Sequence, residues 1–107
     1  MNKINGQFRQ GDVLIQKVAS LPAGTKPQKT TMDVILAEGE MTGHAHRITR
    51  PNKKVRQHLH GAQLYLEVLK PVKVQHEEHG EIPLEPGIYL VLRQMETWMD
   101  EVRQVAD

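Results

Sequence analysis

The stretch Ala62-Gln63-Leu64-Tyr65-Leu66-Glu67-Val68-Leu69 decides the fold class. Leu64, Leu66 and Val68 recur at every second position, against Gln63, Tyr65 and Glu67. A period of two belongs to a strand, whose successive side chains point to opposite faces; a helix would repeat at 3.6. Working outward, the same short length scale recurs. Gly11-Asp12, Pro22-Ala23-Gly24, Pro51-Asn52, Gly61, Pro71, Gly80 and Pro86-Gly87 cut the chain into apolar runs of about 4–8 residues, the length of strands. Val13 to Val18 follows a Gly-Asp turn, and Val34 to Ala37 is wholly apolar. Ile88 to Leu92 is apolar on both faces, as expected of a strand buried between two layers. Val72 to Gln75 is expected to pair with Glu81 to Leu84 across the turn His76-Glu77-Glu78-His79-Gly80. The pattern predicts one all-β domain over residues 1–107, a small barrel or sandwich. Residues 19–33 read as a long surface loop. The tail from Met95 to Ala106 spaces Trp98, Val102 and Val105 four and three apart, which fits a short C-terminal amphipathic helix or an irregular extended segment.

Composition narrows the chemistry. The 107 residues include no cysteine, which excludes disulfides and thiolate metal sites, so a bound metal must be held by imidazole and oxygen. Ser20 is the only serine and sits in no nucleophile elbow, and no glycine-rich phosphate loop is present. The opening Met-Asn-Lys-Ile-Asn-Gly is polar, and no run approaches the ~18 apolar residues of a membrane helix. The expectation is a cytoplasmic protein with no membrane partner. A net charge of +1 gives no bulk attraction to nucleic acid.

All six histidines fall in close pairs: His44 and His46, His58 and His60, His76 and His79. On a strand, residues i and i+2 share a face, so His-x-His sets two imidazoles side by side at a separation fixed by the backbone. An i, i+3 pair converges where the chain turns, and His76-Glu77-Glu78-His79-Gly80 ends in a glycine suited to a turn. The candidate metal ligands are therefore His44, His46, His76 and His79, holding Zn²⁺, Mn²⁺, Fe²⁺, Ni²⁺ or Cu²⁺. Glu38, Glu40, Glu77 and Glu78 are the nearby carboxylates; Glu77 and Glu78 are the candidate catalytic bases. His58 and His60 lie beside Lys53, Lys54 and Arg56, whose charge disfavours a further cation.

The segment Gly39-Glu40-Met41-Thr42-Gly43-His44-Ala45-His46 resembles the first motif of the cupins, small β-barrel proteins, and Pro86-Gly87 resembles the turn of their second. The resemblance implies metal ligation by His44 and His46 with a third histidine from a neighbouring strand. The chain departs from the cupin pattern at Arg50 or Pro51, where a glutamate would stand, and at Leu90, where a histidine would. The strings Gln10-Gly11-Asp12-Val13, Gly43 to His46, His76 to His79 and Arg93-Gln94 also resemble, in order, a group of short bacterial and phage proteins. That similarity implies that the spacing is a unit; it brings no activity with it.

Arg47, Arg50, Lys53, Lys54 and Arg56 form a basic run around Pro51-Asn52. A solvated hairpin tip accounts for it, as does contact with phosphate, nucleic acid or an acidic protein, although no aromatic residue is present to stack on bases. Two functions follow from the residues. One is a divalent-metal protein, in its fullest form an enzyme acting on a small molecule. The other is a non-catalytic interaction module using residues 47–56. Strand edges in so small a β-protein also favour a homodimer.

Overall fold

The computed structural model describes residues 2–4, 6–28, 33–38 and 44–93. Among these it holds eleven strands and no helix. Seven form one antiparallel sheet: β1 (Asn2–Ile4), β2 (Gln7–Gln10), β3 (Val13–Val18), β4 (Lys26–Gln28), β7 (Val55–His60), β8 (Gln63–Val68) and β11 (Gly87–Arg93). Their spatial order is β1-β2-β3-β11-β8-β7-β4. Two ribbons complete the fold, β5 (Val34–Glu38) with β6 (Ala45–Ile48), and β9 (Val72–Val74) with β10 (Ile82–Leu84).

Within residues 62–69, Leu66 and Val68 lie on the sheet's inner face as the alternation predicts, whereas Leu64 is half-buried and Tyr65, on the opposite face, is buried as well. Ile15 pairs with Phe8 and Val91, and Tyr89 pairs with Leu66, so apolar residues at every second position stack across strands. Phe8, Val13, Ile15, Val55, Leu66, Val68, Tyr89 and Val91 are buried there. The ribbons add Val34, Ile48, Val74, Ile82 and Leu84 to the same cluster. The chain is thus all-β, with two ribbons closing one face of an open sheet that ends on β1 and β4. This order does not describe a closed barrel.

Two expectations need correction. Residues 19–33 are not loop throughout, because Lys26–Gln28 pair with Gln57, His58 and Leu59 as the edge strand β4. Pro27 lacks an amide hydrogen and an edge strand tolerates that; lysine and proline together also discourage a further strand from adding. The second correction concerns β11. Tyr89 and Val91 are buried, but Ile88, Leu90 and Leu92 on its other face are only half-buried. The strand is central to the sheet without being covered equally on both sides. The pairing of residues 72–75 with 81–84 stands as expected, in register Val72 to Leu84 and Val74 to Ile82. The tail from Met95 to Ala106, and Glu40 with Gly39 and Gly43, lie outside the described residues. No helix among the described residues is long and apolar enough to cross a membrane.

Candidate metal centre

The two histidine segments meet because the ribbons join along their edges. Arg47 N–H donates to Gln75 O at 2.9 Å, and Gln75 N–H donates back to Arg47 O at 2.7 Å. One residue outward, this antiparallel register sets His46 opposite His76. The ring centroids of His46 and His76 are 4.3 Å apart, those of His76 and His79 4.6 Å, His44 and His76 5.7 Å, and His46 and His79 6.1 Å. Imidazoles sharing one tetrahedral zinc at 2.0–2.1 Å would hold their centroids roughly 5 Å apart. The four measured separations bracket that value, from 4.3 to 6.1 Å.

His46 is the fixed member. Its residue is 2% exposed, and Nδ1 lies 2.8 Å from Gln10 Oε1. The Gln10 amide nitrogen donates to Val74 O at 3.1 Å and Gly80 O at 2.7 Å, which occupies both of its hydrogens. Its oxygen can then only accept, so the hydrogen lies on His46 Nδ1 and the Nε2 lone pair is free. This is the arrangement of a metal-ligating histidine, whose second nitrogen is normally held by an outer partner. Gly11 brings the β2–β3 turn against the cluster. It has φ +59°, which strains a larger residue, and a Cβ there would stand 2.7 Å from Nε2 of the exposed His79 and 3.3 Å from Cε1 of the buried His46, so a larger residue would displace the His79 ring. Neither Gln10 nor Gly11 is legible from residue type; the only signal was their place in the recurring Gln10-Gly11-Asp12-Val13 string.

The two candidate bases differ in their surroundings. Glu77 accepts from Ala45 N–H at 2.9 Å and from Arg47 Nη2 at 2.6 Å. The Ala45 amide, with Arg47 behind it, holds the Glu77 carboxyl below its usual range, which makes it a clamp and a weak base. Glu78 is the freer carboxylate, 3.9 Å from His44 Nδ1 with its side chain 62% exposed. His44, His76 and Glu77 present ligand atoms within 4.8 Å of one another. His76 Nδ1 accepts the Glu78 N–H at 3.0 Å, a bond that a cation at either ring nitrogen would break. Cation binding would thus loosen the His-Glu-Glu-His turn.

The remaining candidates lie elsewhere. His58 pairs with Glu67 at 3.1 Å, and His60 is exposed at the end of β7. The basic run is divided among several roles: Arg47 is on Glu77, and Arg56 is 4.0 Å from Glu67. Arg50 and Lys54 line a cleft of about 280 Å³ with Lys73, Thr49 and Gln75. Lys53 is exposed beside it, and Arg50, Asn52 and Lys53 all take left-handed backbone angles.

Burial lowers the His46 pKa to about 4, with His76 repelling the charged form and Asp12 opposing the shift. His76 is lowered in the same direction, first by burial and then by His79. A depressed histidine means that the unfolded chain takes up the proton first as pH falls. Stability is therefore full above about pH 6.5 and is lost towards pH 4. For His46 alone the loss from pH 7 to pH 5 is about 2 kcal/mol. Urea unfolding of the metal-free protein at the two pH values is expected to show it, with a smaller loss in His46→Asn. Equal midpoints in the parent would contradict the assignment.

Residues 9–94 match the model of the family described as Domain of unknown function (DUF8820), and the chain belongs to that family. The matched span contains Gln10, Asp12, all six histidines and Arg93. No curated protein and no solved structure matches the chain.

Proposed function

For this member of the DUF8820 family we propose binding of a divalent metal ion by the cluster of His44, His46, His76 and His79, in support of chemistry on a small molecule. The observation that carries the reading is the convergence of two separate histidine segments on a buried imidazole, His46, whose Nδ1 is held by Gln10 and whose Nε2 keeps its lone pair, 3.4 Å from Asp12 Oδ1. The likeness of Gly39 to His46 to the first cupin motif supports the same reading. A divalent ion supplies Lewis acidity and brings the pKa of bound water to about 7, the basis of hydrolase and isomerase chemistry; with iron, oxygenase chemistry is the alternative. Glu78 is the better candidate base, because Glu77 is already committed to Ala45 and Arg47. The reading keeps the expectation of a cytoplasmic setting.

The test is elemental analysis of tag-free protein after reconstitution with Zn²⁺, Mn²⁺, Fe²⁺, Ni²⁺ or Cu²⁺ and removal of excess ion. Near-stoichiometric retention of one of them supports the proposal; retention of none refutes it. A second reading, contact with nucleic acid or an acidic protein, draws on the cleft that Arg50, Lys54 and Lys73 line. Binding to such a partner that is sensitive to salt and indifferent to chelator would select it over the first.

A further inference from the structure

The carboxylate of Asp12, in the β2–β3 turn, lies against Nε2 of His46, the ring nitrogen that Gln10 does not hold. Its Oδ1 is 3.4 Å from His46 Nε2, and its side chain is 16% exposed against 2% for the histidine. Gln10 fixes the His46 hydrogen on Nδ1, so a lone pair on Nε2 faces a lone pair on a carboxylate oxygen in a nearly dry site. Two such acceptors repel unless a cation lies between them. A proton would draw them to the 2.7–2.9 Å of a charge-assisted hydrogen bond. A tetrahedral ion with metal–nitrogen and metal–oxygen bonds of 2.0–2.2 Å would instead hold them about 3.4 Å apart. The observed 3.4 Å is longer than the first separation and matches the second.

We propose that Asp12 is a ligand of the metal ion, bridged through that ion to His46, so that the site takes carboxylate as well as imidazole. The inference rests on the metal-binding reading above and adds to it a donor outside the histidine segments. Two further observations support it. Asp12 Oδ2 is 3.1 Å from Arg93 Nε, so the other carboxylate oxygen is held by an outer partner and Oδ1 is left aimed at His46. Ligating carboxylates are characteristically anchored in this way, as ligating imidazoles are by groups such as Gln10. The same turn also carries Gly11, where a Cβ would stand 2.7 Å from His79 Nε2 and 3.3 Å from His46 Cε1, so the turn that holds Asp12 packs against both histidines. A set of one carboxylate and two or three imidazoles favours Zn²⁺, Fe²⁺ or Mn²⁺ over the softer Cu⁺.

The absence of cysteine from the chain allows a direct test. In Asp12→Cys loaded with Co²⁺, a thiolate bound to the metal gives an intense near-ultraviolet charge-transfer band, absent from the Co²⁺-loaded parent. The band is the expected result. Co²⁺ bound to the variant without that band overturns the assignment. Should Asp12→Cys not fold, Asp12→Asn serves in its place, with its fold checked by circular dichroism in chelator. Zn²⁺ affinity at least 10-fold below the parent's supports Asp12 as a ligand; affinity equal to the parent's overturns it while the histidine site stands. A parent that binds neither Co²⁺ nor Zn²⁺ removes both this inference and the reading beneath it.

Discussion

The double variant His46→Ala, His76→Ala is expected to bind Zn²⁺ more than about 100-fold more weakly than the parent, beyond the 10–100-fold typical of losing an outer-shell partner. These two rings face each other across the bridge between the ribbons, 4.3 Å apart, so the pair removes one donor from each histidine segment. The backbone bonds that join the segments, between Arg47 and Gln75, do not involve either side chain and should persist. Far-ultraviolet circular dichroism in chelator checks that the variant remains folded. Competition titration against a chromophoric chelator measures the affinity. His58→Ala, His60→Ala is the control, since His58 is engaged with Glu67 and His60 is exposed at the end of β7. An equal loss in the control would mean that the wrong histidines have been assigned.

Gln10→Leu is expected to have the second largest effect, on two properties at once. Its amide joins three elements: it accepts from His46 on β6 and donates to Val74 O on β9 and to Gly80 O in the turn before β10. Leucine fills similar volume but leaves a buried N–H and two carbonyls without their partner. Each orphaned group costs about 1–3 kcal/mol where water cannot reach it, and partial hydration near exposed Gly80 reduces the sum to about 3 kcal/mol. Freed from its anchor, the His46 ring can rotate and change tautomer, so Zn²⁺ affinity should fall about 10–100-fold. Guanidinium unfolding in chelator gives the first quantity and metal titration of the folded variant gives the second. A loss of stability with unchanged affinity would confine Gln10 to a packing role.

The fold was legible where one face of a strand is buried and the other is not. Residues 63–68 declare their period because Leu66 and Val68 face the core while Gln63 faces water, and in residues 13–18 Val13 and Ile15 are buried while Leu14 and Gln16 between them are half-buried. β4 was missed because Lys26, Pro27 and Gln28 are all exposed, and an edge strand held only by backbone pairing leaves no hydropathy signal. β11 misled in the opposite sense: Ile88, Leu90 and Leu92 are apolar yet only half-buried, and composition alone does not count the layers above a strand.

The histidine segments could be found from sequence because their chemistry is rare and their spacing is short. Their meeting depends on the register between Arg47 and Gln75, a contact over nearly thirty residues that no local pattern encodes. The parts contributed by the β2–β3 turn were opaque. Gln10 is a common polar residue that happens to be 2% exposed, and Asp12 matters through a 3.4 Å approach to His46. Glu77 was legible as a carboxylate near the cluster but not as one clamped by Ala45 N–H and Arg47.

The central claim is that the His-Ala-His and His-Glu-Glu-His segments hold one divalent-metal centre. Long-range ¹H–¹⁵N spectra of the imidazole rings during titration with Zn²⁺ test it most directly, because every histidine reports separately. The account predicts that the signals of the cluster, His46 foremost, move to a new set that saturates at a fixed stoichiometry, with His46 Nδ1 remaining protonated. His58 and His60 should not move. Uniform weak shifts of all six histidines, or a His46 ring indifferent to Zn²⁺, would contradict it.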